Sequence, residues 1–368
     1  LTITSGNDIV LAVGAAGSAY CGGIAGSYNT VFGKNAGDAI HSGSAGNTVF
    51  GEDALSGTMT ATADGNVAIG YQAGNAITAG PGNVFVGHQA GKATTSGEDN
   101  VAIGRNAFDV ADGVEIDNIA IGAGAMGAVD EGGSGQADSN IAIGVNALVG
   151  GAFSSSIALL GNIAIGTNSL NSTAANAQTG TIAIGYDALT ALTSGAKNMA
   201  VGYEALDSMQ TGEGNVALGY NALKGANHAD ADNNIAIGAG AMDGVSTNGA
   251  ANHIAIGTDA LGGSLTGDTC IAIGYQSSLT MTSGGENISI GYQSLKLLAT
   301  GHNNIAIGTL AMDAADGAES DNIAIGYDAL GNLNDDSAAK NIAIGNYAAD
   351  GMGTVGDHSQ NIFMGHNW

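Results

Sequence analysis

Apolar and polar positions recur along this chain in a nine-residue block, Asn-Ile-Ala-Ile-Gly-Tyr-x-Ala-Leu. Its clearest copies are residues 322–330 and, as Asn-Val-Ala-Leu-Gly-Tyr-Asn-Ala-Leu, residues 215–223. The block glycine can be followed from Gly14, in a degenerate first copy, to Gly365, with successive glycines 17 to 22 positions apart. A fixed block with variable spacers is the signature of stacked supersecondary units, so self-similarity governs the reading of the fold. Each block predicts a short strand (Asn-Ile-Ala-Ile), a corner at the glycine, and a second short strand or turn. The two residues flanking the central alanine share one face at period two. The spacers, such as residues 92–99 (Lys-Ala-Thr-Thr-Ser-Gly-Glu-Asp), are rich in Gly, Ser, Thr, Asp and Asn and predict turns and loops on one side of the stack. The longest spacers, 127–139 and 149–161, are read the same way.

The fold class that follows is all-β: a parallel β-solenoid or β-roll of about twenty coils, forming a single repeat domain over residues 1–368. The degenerate first coil occupies about 1–28 and the regular coils about 29–368. Asparagine opens most blocks, at Asn29, Asn47, Asn66, Asn83, Asn100, Asn118, Asn140, Asn162, Asn198, Asn215, Asn234, Asn287, Asn304, Asn322, Asn341 and Asn361. The exceptions are Val10, Thr181, His253 and Cys270. Stacked amides can pass hydrogen bonds from coil to coil, so this column is expected to be a structural ladder.

One coil buries too few aliphatic side chains to offset the entropy of ordering it, so neighbouring coils must supply the difference. Alanine at the block centre is a poor strand former and adds nothing to solubility. The sequence therefore predicts both strand faces to be covered, one by the coil interior and the alanine face by a parallel copy of the chain in a homotrimer, with a dimer, or a monomer whose alanine face packs on its own loops, as the alternatives. Blocks running close to both ends predict flanking fibre domains or capping proteins there.

Composition narrows the function classes. The chain has 63 Gly, one Pro, and 7 Lys plus Arg against 33 Asp plus Glu, a formal net charge of −26. Nucleic acid and anionic membranes call for a basic stripe, and none is present. No apolar run reaches the ~18 residues of a membrane span, and no signal peptide is evident. Cys21 and Cys270 are too far apart along a stack to meet and read as buried thiols. The seven histidines, His41, His88, His228, His253, His302, His358 and His366, lack metal or nucleophile spacing and read as loop or ladder residues. Tyrosines follow the block glycine at Tyr71, Tyr186, Tyr203, Tyr220, Tyr275, Tyr292 and Tyr327. Cross-coil packing is the first expectation for them, and a sugar-binding surface the second. Acidic spacers such as Asp130, Glu131 and Asp138 are weak calcium candidates because the Gly-Gly-x-Gly-x-Asp pattern of calcium-binding rolls is missing. The expectation is no enzyme activity, no cofactor, no metal and no catalytic residue.

The Asn-(Ile/Val)-Ala-(Ile/Val)-Gly-Tyr-x-Ala-Leu block resembles the repeat regions of bacteriophage tail fibres. It is also similar to the head repeats of trimeric autotransporter adhesins, whose Val-Ala-Ile-Gly-x-x-Ala core builds a trimeric β-roll. The Tyr-x-Ala-Leu half and the variable spacing favour the phage comparison. The resemblance implies a homotrimer at a virion surface or in an extracellular setting, engaged in host attachment, with a glycan or protein of the cell surface as receptor. The alternative is a bacterial surface adhesin or self-assembling extracellular filament.

Overall fold

A computed structural model describes residues 28–129, 136–151, 158–172, 178–227, 231–244, 251–267, 269–353 and 358–366. The described chain is an all-β parallel solenoid without helix. It divides into two compact units, Leu1–Ile184 and Gly185–Trp368. The first copy of the block, around Gly14, and Cys21 lie outside the described residues.

In the first unit nine three-residue strands pair in parallel, from Thr30–Phe32 through Ile163–Ile165 to Ile182–Ile184. In the second unit ten do so, from Met199–Val201 to Ile362–Met364. Register is strict. Ile235, Ala236 and Ile237 stand opposite Ile254, Ala255 and Ile256, which in turn stand opposite Ile271, Ala272 and Ile273. Each strand ends at the block glycine, where φ is +131° to +147° in most coils. A Cβ on Gly202 would lie 2.2 Å from the carbonyl oxygen of Gly219 in the next coil, so backbone contact between coils demands a bare Cα there.

The turn after the glycine alternates between right- and left-handed residues. In Gly219-Tyr220-Asn221-Ala222-Leu223, φ is +54° at Asn221 and +53° at Leu223, and the Ala222 N–H donates to the Gly219 carbonyl. Asn, Asp, Gln or Glu fills the first left-handed site in most coils, the short Asn and Asp among them being the residues that tolerate it best. A left-handed leucine costs about 1–3 kcal/mol. Its complete burial, seen at Leu189, Leu206 and Leu223, returns a similar amount.

The faces of the strand are the reverse of the sequence expectation. The central alanines are wholly buried inside their own coil, Ala200, Ala217, Ala236 and Ala255 each being 0% exposed. The flanking aliphatics point outward and are half-covered, with Ile69 at 39% and Ile344 at 38%. The alanine row is thus not an interchain surface. It is small because the coil is narrow and the Ala-Leu turn packs directly opposite. Exceptions demonstrate this. Where Phe85 replaces the strand alanine, the leucine position of its own coil is Gly91 and that of the preceding coil is Gly74. A Cβ on those glycines would lie 2.5 and 2.9 Å from the Phe85 ring. Where Ser289 replaces alanine, Ser277 and Ser278 fill the opposing turn, with hydroxyl contacts of 2.6 and 2.8 Å to Ser289 Oγ. The polar substitution is therefore satisfied within the core.

The long spacers hold a further departure from the sequence expectation of loops. Gln136–Asp138, Ala158–Leu160 and Gln178–Thr179 form a separate three-stranded parallel sheet in the first unit. Each of these strands lies just before the next block and pairs with the like segment of a neighbouring coil, and isolated bridges Glu98–Ile116 and Ser320–Ala339 form at the same place elsewhere.

The core swap gives a sign-reversal test. Gly91→Leu alone overpacks the Phe85 site and lowers stability by about 1–3 kcal/mol, whereas in a Phe85→Ala background it raises stability. Denaturant melts of the four chains measure the coupling, and additive effects would contradict this packing. A second expectation concerns pH. Asp109, Asp207, Asp243 and Asp313 occupy equivalent turn positions, and burial is the main cause holding each carboxyl above its ordinary value of 3.8. A raised folded-state value means the stabilisation is complete below the ordinary value and lost as pH rises through the raised one. The melting temperature should therefore increase as pH is lowered from neutral toward the carboxylate range, and Asp313→Asn should flatten part of that slope.

Candidate binding face

The ladder asparagines position everything outside them. In the first unit the Asn47 N–H donates to Asn29 Oδ1 at 2.9 Å, and its Nδ2 donates to the same oxygen at 3.2 Å and to the Ala63 carbonyl at 3.1 Å. Asn47 therefore binds the coil before it and also clamps the returning spacer of its own coil onto the strand, and most of the ladder asparagines repeat this. The backbone N–H chain runs through Asn66, Asn83, Asn100, Asn118, Asn140 and Asn162 to the Thr181 N–H. In the second unit it links Asn198, Asn215 and Asn234, and separately Asn287, Asn304, Asn322, Asn341 and Asn361. Between these runs His253 substitutes chemically for asparagine. Its N–H donates to Asn234 Oδ1, and its Nδ1 accepts from the Cys270 N–H at 3.0 Å, which requires that nitrogen to be unprotonated. Cys270 is buried and presents sulfur, 3.5 Å from Met281 Sδ, where most coils present an amide.

Just beyond the glycine corner the tyrosines form exposed rows. Tyr186, Tyr203 and Tyr220 stack with ring centroids 5.3 and 5.5 Å apart and planes within 16°, and Tyr275 stacks on Tyr292 at 5.3 Å. In the first unit Tyr71 packs on His88 at 5.2 Å. Tyr327 is met edge-on by Tyr347, and Tyr347 by His366. The spacing is set by strand separation, so the rings are held in the file by the backbone register. Their edges remain open, Tyr220 being 58% exposed. Glu204 accepts from the Tyr203 hydroxyl and thereby raises that tyrosine's pKa, while Lys224, hydrogen-bonded to Glu204, is the main cause lowering the pKa of the glutamate. This places one hydroxyl, carboxylate and ammonium set beside the ring edges of the Tyr186–Tyr203–Tyr220 file. Two cross-coil ion pairs, Lys34–Glu52 at 2.7 Å and Lys197–Glu213 at 3.3 Å, lie on the exposed surface and contribute little to stability.

The other sequence candidates are dispersed. His41 Nδ1 accepts from the Gly43 N–H and His302 Nδ1 from the Gly285 N–H, each closing a local turn or coil contact. The His358 carbonyl accepts from Asn341 Nδ2. His228, Asp130 and Glu131 fall outside the described residues, and Asp138 accepts from the Ile116 N–H in the preceding coil. The sequence reading missed Tyr347, which sits one position later in the block than the other tyrosines yet joins the same row. Among the described residues, no helix is long and apolar enough to cross a membrane. No protein-family model and no curated protein matches this sequence.

Tyr203→Ala should leave the fold intact, with an unchanged far-ultraviolet circular dichroism spectrum. It should also remove the exciton-like near-ultraviolet signal of the stacked row, because the ring is held by the register and does not create it.

Proposed function

We propose that this chain is a structural, receptor-facing segment of a bacteriophage tail or capsid fibre, acting in host attachment as a homotrimer at the virion surface. The observation that carries the reading is the regular exposed file of aromatic and aliphatic side chains on a stack whose interior is already filled. Such a surface suits repetitive contact, either with a second chain of the same period or with a repeating polysaccharide.

The two surfaces divide the work. The outward Ile and Val rows are flat, β-branched and half-exposed, and three parallel copies could cover them about a common axis. The tyrosine files carry open ring edges and hydroxyls, with a carboxylate and an ammonium group beside Tyr203, and these polar groups suit hydrogen bonding to sugar hydroxyls. The net charge of −26 keeps such a surface soluble and disfavours anionic receptors.

Native mass spectrometry should give three times the 35.7 kDa chain mass. Changing the outward Ile237, Ile256 and Ile273 to lysine should yield folded monomer, whereas Ala236→Lys should unfold the second unit because that position is interior. On an array of bacterial surface glycans, Tyr203→Ala with Tyr220→Ala should weaken retention about tenfold. A monomer at all concentrations that retains no glycan would reject the proposal.

A further inference from the structure

One loop sequence occurs twice. Residues 111–118 read Ala-Asp-Gly-Val-Glu-Ile-Asp-Asn and residues 315–322 read Ala-Asp-Gly-Ala-Glu-Ser-Asp-Asn, one copy in each unit. Both copies fold alike. The glycine N–H donates to one oxygen of the glutamate, Gly113 to Glu115 Oε1 at 3.2 Å and Gly317 to Glu319 Oε2 at 3.0 Å. The glutamate carbonyl accepts from the ladder, from Asn100 Nδ2 and from Asn304 Nδ2, at 2.7 Å in each case. Each glutamate is 0% exposed, and the second carboxylate oxygen, Glu115 Oε2 or Glu319 Oε1, is buried with no hydrogen-bond partner among the described residues. A buried carboxylate oxygen left without a donor is costly, and the loop places two such oxygens at matching positions.

Around Glu319 the surroundings supply a reason. The carboxylates of Asp316 and of Asp336, from the following coil, are exposed, and one oxygen of each and one of Glu319 all lie within 4.8 Å of one another. Oxygens on opposite sides of one Ca²⁺ ion stand about 4.6–5.2 Å apart, because Ca–O distances are about 2.3–2.6 Å. Three carboxylates can therefore share such an ion without the backbone moving. The loop is also shaped to admit the third ligand: a Cβ on Gly317 would lie 1.6 Å from Asp336 Oδ1, so only glycine lets that carboxylate rest against the turn. Asn334 Nδ2 reaches Asp316 Oδ2 at 3.4 Å and steadies the second ligand.

We propose that Asp316, Glu319 and Asp336 form a divalent-cation site selective for Ca²⁺, which ties two successive coils together beside the asparagine ladder. All the donors are hard oxygens, and two of the three ligands sit at the surface where water completes the coordination. That open, irregular set suits calcium better than magnesium, which demands near-octahedral geometry. Burial is the main cause raising the Glu319 pKa, and Asp336 and Asp316 add to the rise against the lowering by backbone N–H groups. A bound cation reverses this balance by favouring the ionised carboxylate.

The test is calorimetric titration of the full chain with CaCl₂ after removal of metal by EDTA, paired with thermal melts. Asp336→Asn is the working variant, since that side chain is exposed and its loss leaves the core intact, and Glu319→Gln is the second. Asp321→Asn, an exposed carboxylate of the same loop outside the cluster, is the control. The wild type and the control should bind one equivalent of Ca²⁺ more than either site variant. Saturating Ca²⁺ should raise the melting temperature of both by about 5 °C. Mg²⁺ should bind at least about tenfold more weakly. Absence of calcium heat in the wild type, an Asp336→Asn isotherm equal to the control's, or equal affinity for Mg²⁺ would overturn the assignment.

Discussion

The buried amide is the constraint on which the described structure depends. In the fullest form of the ladder an asparagine oxygen accepts two donors from the next coil, and the amino group reaches both the previous coil and the spacer returning to its own strand, as at Asn29 and Asn47. Removing either half leaves buried backbone groups without partners, at about 1–3 kcal/mol apiece. Within each run the column therefore fixes the register of the strands it links. Register in turn decides which residues are inside, because a one-residue slip exchanges the two faces of a strand. The His253 substitution is informative for that reason: a ring nitrogen occupies the place of the amide oxygen and keeps the Cys270 backbone N–H bonded.

Narrowness is the second constraint. With a three-residue strand on one side and an Ala-Leu turn on the other, the interior accommodates one methyl group per strand. It admits a phenylalanine only where glycines vacate the turn, as Gly74 and Gly91 do around Phe85. The turn must also bring its leucine inward from a left-handed backbone. The consequence for function is that the strand turns its larger side chains outward. On the strand side small residues face the inside and the turn leucines fill it, while the strand's isoleucines and valines and the tyrosines are carried outward in files spaced by the strand separation.

Much of this was legible before any coordinates. The period, the parallel in-register strands, the glycine corner and the asparagine column follow from block spacing and residue chemistry alone. The polarity of the strand did not. Alanine between two isoleucines shows period two but not which face is in, and ordinary hydrophobicity points the wrong way, since it assigns the larger side chains to the core. A covarying signal was present, because glycine appears at the leucine position in the coils that carry Val31 and Phe85. The enrichment of Asn, Asp, Gln and Glu at the variable block position likewise marked a left-handed residue. The extra sheet from Gln136–Asp138 to Gln178–Thr179 left no periodic trace, its strands being two or three residues long in spacers of unequal length. The carboxylate cluster was out of reach because Asp336 comes from the next coil, and only stacking places it over Gly317.

The central claim is that distance in this protein scales with the number of blocks and not with the number of residues. Pulsed electron resonance between spin labels on the outward row of the second unit measures that scaling directly. Labels at positions 201 and 273 are separated by four strand steps, and labels at 201 and 307 by six. At about 4.8 Å per step the account predicts backbone separations of about 19 and 29 Å, each with a narrow distribution. Broad distributions, or a second distance no longer than the first, would contradict it.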